Sequence, residues 1–128
     1  MNARAEGLRL PFDSDREAPR KARYAVASFF GQLDDLVANT ISLAVSELVT
    51  NVIAHTDSGG EVRAWDANSH GRLRIEVEDY SPIPPIVHGE IDIGGRGLLL
   101  VDKLADAWGV EQTSAGKVLW AEFVSLGR

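Results

Sequence analysis

A chain of 128 residues is long enough for one domain with a real core, and an apolar share of 45% is ordinary for a globular protein. Thirteen lysines and arginines against nineteen aspartates and glutamates leave a net charge of −6, which argues against general nucleic-acid binding, because that needs a basic surface to displace counterions. There is no cysteine, so disulfides and thiolate metal sites are excluded; no apolar run is expected to approach membrane-spanning length and no signal peptide is read at the start, so a soluble, cytoplasmic protein is expected.

Residues 1–7 are expected to be flexible. Leu8–Phe12 reads as a short strand, and Pro11 suggests a sheet edge. Asp13–Asp15 form a turn. Pro19 is well placed in the first turn of a helix that carries Ala22, Val26, Phe29 and Phe30 on one side and stops at Gly31. Arg16, Arg20, Lys21 and Arg23 concentrate positive charge near its start, ordinarily a solvated face and less often a partner surface. Asp34 or Asp35 can cap the next helix.

That next helix is the one the chain is organised around. Ile41, Val45, Leu48 and Val52 recur at helical spacing and give a core stripe, while Glu47, Asn51 and His55 recur every fourth position as a polar stripe. Two readings fit. The polar stripe is a solvated edge, or Glu47 and Asn51 face a ligand that contains a divalent cation.

Asp57-Ser58-Gly59-Gly60 is a turn. Val62, Ala64 and Asp66 alternate with Arg63, Trp65 and Ala67 as in a strand, and residues 68–71 read as a hairpin connection. Leu73, Ile75 and Val77 alternate with Arg74, Glu76 and Glu78 in a second strand with one buried face, ending at Asp79. Residues 81–94 hold three prolines and two glycines and form a long loop, of the kind that is usually functional or mobile. Gly94, Gly95 and Gly97 then open a helix with Leu98, Val101, Leu104 and Ala105 inward, and Gly109 lies just past its end. Val110–Thr113 and Lys117–Val124 are the last strands, joined by Ser114-Ala115-Gly116. The order predicts an α+β fold over residues 1–128: a two-layer α/β sandwich with a mixed, mainly antiparallel sheet and helices on one face.

Four features carry chemistry. An amide oxygen such as that of Asn51 is a hard ligand suited to Mg²⁺, and a carboxylate one turn away, Glu47, can accept a proton. Asp79 can receive a hydrogen bond from an exocyclic amine, although alone it reads as a turn residue. Gly95-Arg96-Gly97 at a helix start lets backbone amides approach phosphate, although a lone GxG is more often just a tight turn. The proline-rich loop lies where a lid over a phosphate chain would be. Neither GxxxxGK[ST] nor a strand-linked GxGxxG is present, and His55, His70 and His88 show no HExxH spacing.

In that setting SELVTNVIAHT resembles the N box of the GHKL, or Bergerat-fold, ATPases. EDYSPIPP resembles their G1 box, GGRGLLLVDKLADAWGV the G2 box with its following helix, and GKVLWAEF the closing strand. The resemblance runs from Leu8 to Val124 and is nearest to the small anti-sigma-factor serine kinases. It implies that Asn51 binds Mg²⁺, that Glu47 is general base on an incoming hydroxyl, and that Asp79 reads the adenine amine with Ser81 beside the base. It also implies that Gly95 and Gly97 shape the phosphate turn next to Leu98, with Arg96 available to the terminal phosphate. Departures are Ser81 where glycine is common, Val52 where alanine is frequent and Ala54 where a basic residue is common. The implied function is an ATP- and Mg²⁺-dependent serine/threonine kinase that phosphorylates a STAS-type antagonist and sequesters a sigma factor, with a homodimer possible and neither nucleic acid nor membrane as partner. The alternative is a nucleotide-gated binding module without phosphoryl transfer. The ATPase core of a two-component sensor kinase is disfavoured, since residues 1–17 hold no histidine.

Overall fold

The computed structural model describes residues 7–31, 33, 35–55, 58–66, 71–81 and 97–124. In chain order the elements are β1 (Leu8–Phe12), α1 (Ala18–Phe29), α2 (Asp35–His55), β2 (Gly60–Asp66), β3 (Arg72–Asp79), α3 (Gly97–Leu104), β4 (Ala107–Gln112) and β5 (Lys117–Val124). The strands form one sheet in the order β1-β2-β3-β5-β4, and every neighbouring pair is antiparallel. Pro11 does lie on an edge strand, where a missing ladder donor is tolerated.

Alternation along the strands decides which side the helices cover. Val62 and Ala64 of β2, Leu73, Ile75 and Val77 of β3, and Leu119, Ala121 and Phe123 of β5 share one face and are buried in one cluster. From the helical side, Ile41, Ala44, Val45, Leu48, Val49 and Val52 of α2 enter the same cluster with Ala18, Ala22 and Val26 of α1 and Leu98 and Val101 of α3. Each fully buried branched side chain there contributes about 1.5–3 kcal/mol over leaving it in water. By length and mean hydropathy, 1.5 over Asp35–Ala54, α2 does reach membrane-spanning length, contrary to the sequence-based expectation; here its apolar stripe is core.

Two further expectations need correction. Phe29 is 39% exposed, whereas Phe30 is buried. Phe29 is the last residue of α1 and Phe30 its C-cap, at φ −98° and ψ 39°, so helical spacing does not carry through to Phe30; the two rings meet edge-on, with centroids 4.9 Å apart. The last helix also stops earlier than expected, and β4 begins at Ala107, so Gly109 is a strand residue and not a helix stop. Gly109 pairs with Trp120, and a Cβ on it would stand 2.9 Å from the indole Nε1, so the ring's position requires glycine. Trp108 is held by its indole N–H, which donates to Asp102 Oδ1 at 2.7 Å.

The opposite face of the sheet is lined by ion pairs. Arg63 Nη1 lies 2.8 Å from Glu61 and 2.9 Å from Glu78, and Arg74 reaches Glu76 at 3.0 Å and Glu122 at 2.7 Å. The Arg74 guanidinium also sits 4.4 Å over the Trp120 ring. Burial opposes ionisation of Glu61 and Glu122. Hydrogen bonds and charge from Arg9 and Arg63, and from Arg74 and Arg72, more than offset it, and both carboxyls lie below the ordinary value of 4.5. Of the basic cluster on α1, Arg20 pairs with Glu17 at the surface, whereas Arg23 reaches inward to Ser46 of α2 at 3.3 Å.

Candidate functional site

Asp79 ends β3 on its helix-facing side, in line with Ile75 and Val77, and has 0% exposure. A carboxylate buried so completely is costly unless partnered. The backbone N–H of Ser81, itself buried, donates to Oδ1 at 2.9 Å and closes a turn two residues on, and the Lys117 ammonium donates to Oδ2 at 2.5 Å. Lys117 is the direct cross-strand partner of Asp79, and Gly60 is its partner on the other side.

Both flanking strands come unusually close at this point. A Cβ on Gly60 would stand 1.8 Å from the Glu78 carbonyl oxygen, and one on Gly116 would stand 2.0 Å from that of Asp79. Glycine is therefore required on both sides of the strand end that carries the carboxylate. Gly59, at φ 71°, makes the preceding bend and accepts the Tyr80 N–H at 3.2 Å. On the far side, the Thr113 hydroxyl oxygen accepts the Gly116 N–H at 3.0 Å, while Thr113 N–H donates to the Gly116 carbonyl at 2.8 Å. Those two hydrogen bonds fix the turn before Lys117. A carboxylate offers about four lone-pair positions, so Asp79 keeps acceptor capacity beyond the two bonds described.

Glu47 and Asn51 lie one helical turn apart on α2 and are both half-buried. Neither side chain has a hydrogen bond or ion pair to another described residue. Two partly covered polar groups with no such partner are suited to an exogenous one. Among the described residues no three His, Asp or Glu side chains converge as a metal-ligand set. Asn51 fits magnesium as one protein oxygen beside waters and phosphate oxygens, the coordination this cation favours. α3 packs beside α2, so its first residues, Gly97 and the buried Leu98, start next to the helix that carries the polar pair.

The structure thus joins Asp79 and Ser81 by a hydrogen bond, and α2 and α3 by packing. No described contact links Glu47 or Asn51 to Asp79; what they share is the helix-covered side of the sheet. Gly95, Arg96, the loop over residues 82–94, the cap position Asp34 and the side chain of His55 lie outside the described residues, as do residues 1–6 of the expected flexible start. A cavity of about 160 Å³ opens elsewhere, between the end of β1 and the start of α1, lined by Leu10, Phe12, Asp13, Asp15 and Lys21 among others; it contains none of the expected site residues. Lys117 was missed from sequence. The available signal was the inward series Lys117, Leu119, Ala121, Phe123, in which a lysine stands at a core-facing position.

Residues 12–123 match the family described as the histidine kinase-like ATPase domain. Over 74 residues the chain is 40% identical to an uncharacterised protein of Streptomyces coelicolor, covering 53% of this chain and 70% of that one. Over 105 residues it is 31% identical to the anti-sigma F factor of Clostridium botulinum, covering 77% of this chain and 63% of the relative's length. Among solved structures, the RsbU and RsbW domains of Rv1364c from Mycobacterium tuberculosis share the fold, with a TM-score of 0.71 at 23% identity, covering 92% of this chain and 32% of that one.

Proposed function

Since this chain belongs to the histidine kinase-like ATPase domain family, we propose that it binds ATP with Mg²⁺ and phosphorylates a serine or threonine on a small STAS-type antagonist, and that it sequesters a sigma factor. The observation that carries the reading is the Glu47–Asn51 pair, half-buried on α2 with no partner among the described residues. The likeness to an anti-sigma F factor supports the choice of partners, and a cytoplasmic location follows from them.

In this reading the Asn51 carboxamide oxygen holds the cation, which neutralises phosphate charge when bound. Glu47 accepts the proton of the incoming hydroxyl as its oxygen bonds to the γ-phosphorus and the bond to the bridging oxygen breaks, releasing ADP. Arg96 is assigned to the terminal phosphate. Asp79 accepts a hydrogen bond from the purine amine, with Ser81 beside the base, and Gly95, Gly97 and Leu98 shape the phosphate turn. Positioning and charge neutralisation do most of the work in such transfers.

The test is incubation with labelled ATP and STAS-domain proteins from the same genome, scored for phosphoserine or phosphothreonine. Glu47→Ala should abolish transfer while ATP binding survives. If Glu47→Ala leaves partner control unchanged and the parent protein transfers no phosphate, the chain is a nucleotide-gated binding module instead. No ATP binding in calorimetry at high protein concentration would end both readings.

A further inference from the structure

We propose that the outer line of α2 ahead of Glu47, marked by Leu36 and Leu43, is the docking surface for the protein that carries the phosphoacceptor hydroxyl. The inference rests on the reading of Glu47 as the base that takes this hydroxyl's proton. It adds where the acceptor stands and what its own surface is made of.

α2 packs Ile41, Val45, Leu48 and Val52 into the core. Leu36 and Leu43 are seven residues apart, about two helical turns, and therefore share one line along the helix. That line lies away from the core stripe: Leu36 is 75% exposed and Leu43 41%. Glu47 follows Leu43 by about one turn on the same side, so their Cβ atoms are neighbours at about 5–6 Å. Leu36 stands about 16 Å along the axis before Glu47. Thr40, one turn after Leu36, donates its hydroxyl to the Leu36 carbonyl at 2.9 Å, so this polar group is satisfied within the helix.

Single exposed leucines are ordinary, whereas a grouped apolar surface marks a contact. Their distribution decides. Among the described residues six large apolar side chains are exposed; five stand on the three helices and none lies in a strand. The face of the sheet away from the helices is instead lined by arginine–glutamate pairs that satisfy one another. Exposed apolar surface is thus concentrated on the helical layer, and on α2 it runs up to Glu47.

The occupant follows from the chemistry. A hydroxyl whose proton passes to Glu47 comes within hydrogen-bond reach of that carboxylate, and the protein that carries it covers the ground around Glu47. An interface of standard size, about 800 Å² per partner, has a radius of about 16 Å, so one centred on Glu47 takes in Leu43 and extends to Leu36. A partner that laid polar groups over these leucines would lose their hydration without return. The acceptor therefore presents apolar side chains on the side of its serine or threonine that faces the start of α2.

The test measures steady-state transfer from ATP to the STAS-domain protein that the parent phosphorylates, for the parent, Leu36→Ser, Leu43→Ser and Leu43→Met. Calorimetric ATP affinity and melting temperature are read alongside. Leu36→Ser should raise KM for the acceptor by about tenfold and Leu43→Ser by about fivefold, in the order of their exposure. kcat and ATP affinity should stay within about twofold of the parent, the signature of binding lost equally in ground and transition states. Leu43→Met keeps the apolar volume and should leave KM within about twofold. A merely structural role would lower melting temperature and ATP affinity with no selective rise in KM. If Leu43→Ser does not fold, Leu36→Ser, at the more exposed position, decides.

An unchanged KM in the folded serine variants, with transfer intact, overturns the proposal and leaves the kinase reading standing. A changed oligomeric state of Leu36→Ser in sedimentation, in place of a raised KM, overturns it in favour of a second copy on this surface. Transfer by the parent to no STAS-domain protein overturns the kinase reading itself, and the proposal with it.

Discussion

Gly116→Ala tests whether the strand end that carries Asp79 depends on the close approach of β5. A methyl group on Gly116 would lie 2.0 Å from the Asp79 carbonyl oxygen and 2.9 Å from that of Ser81. Unforced carbon–oxygen contacts begin near about 3.3 Å, so β5 must retreat by more than about 1 Å beside the residue it has to meet. Both obstructing atoms are backbone, and neither can rotate away. Forcing extra carbon into such a place costs about 1–3 kcal/mol. At about 4 °C per kcal/mol for a domain of this size, the melting temperature should fall by about 4–12 °C. The displacement also carries Lys117 away from Asp79 and disturbs the Ser81 turn. ATP affinity should therefore drop by about ten- to a hundredfold, as expected for one charge-assisted hydrogen bond. Differential scanning fluorimetry and calorimetric titration read the two effects separately, with Ser114→Ala, in the exposed part of the same turn, as control. A melting temperature within 1 °C of the parent and an unchanged affinity would refute the close-approach argument.

Asp79→Asn should destabilise by about 3–5 kcal/mol in urea denaturation, because it leaves the Lys117 ammonium without its counter-charge, and should weaken ATP binding in calorimetry. Leu48→Ala, at the centre of the buried α2 stripe, should cost about 2–5 kcal/mol in urea, and a loss below about 1 kcal/mol would contradict its placement in the core. Glu61 and Glu122 titrate below their ordinary 4.5 in the folded chain, so their stabilisation is complete above that value and is lost as pH falls through the lower folded values. Melting temperature should therefore decline below pH about 4.5 for this reason, and Glu122→Gln should make the decline shallower.

The fold was largely readable because its signals are local. Period-two alternation marked β2, β3 and β5, the i, i+4 stripe marked α2, and Pro11 marked an edge. Where reading failed, a long-range contact had overridden a local signal. Gly109 looked like a helix terminator because glycine usually is one near a helix end, yet its reason lies in the Trp120 ring packed over it from β5. Phe29 and Phe30 are equally apolar, and it is Phe30, leaving the helix at its C-cap, that is covered. Glu76, on the face of β3 opposite its apolar residues, is nevertheless buried, because Arg63 from the neighbouring strand lies against it. Strand alternation reports which side a residue faces and says nothing about what covers it.

The same limit governs the site. Glu47 and Asn51 could be paired from sequence because one helix sets their spacing. Asp79 could be read only as a strand-end carboxylate open to a base, because its strongest partner is 38 positions away and the strand register alone brings the two together. A lone buried aspartate is costly, and here the more exposed ammonium supplies its counter-charge. Motif spacing therefore reached Asp79 and not the ammonium that satisfies it, and that residue sits in the closing strand, where a core-facing lysine has no local reason to be.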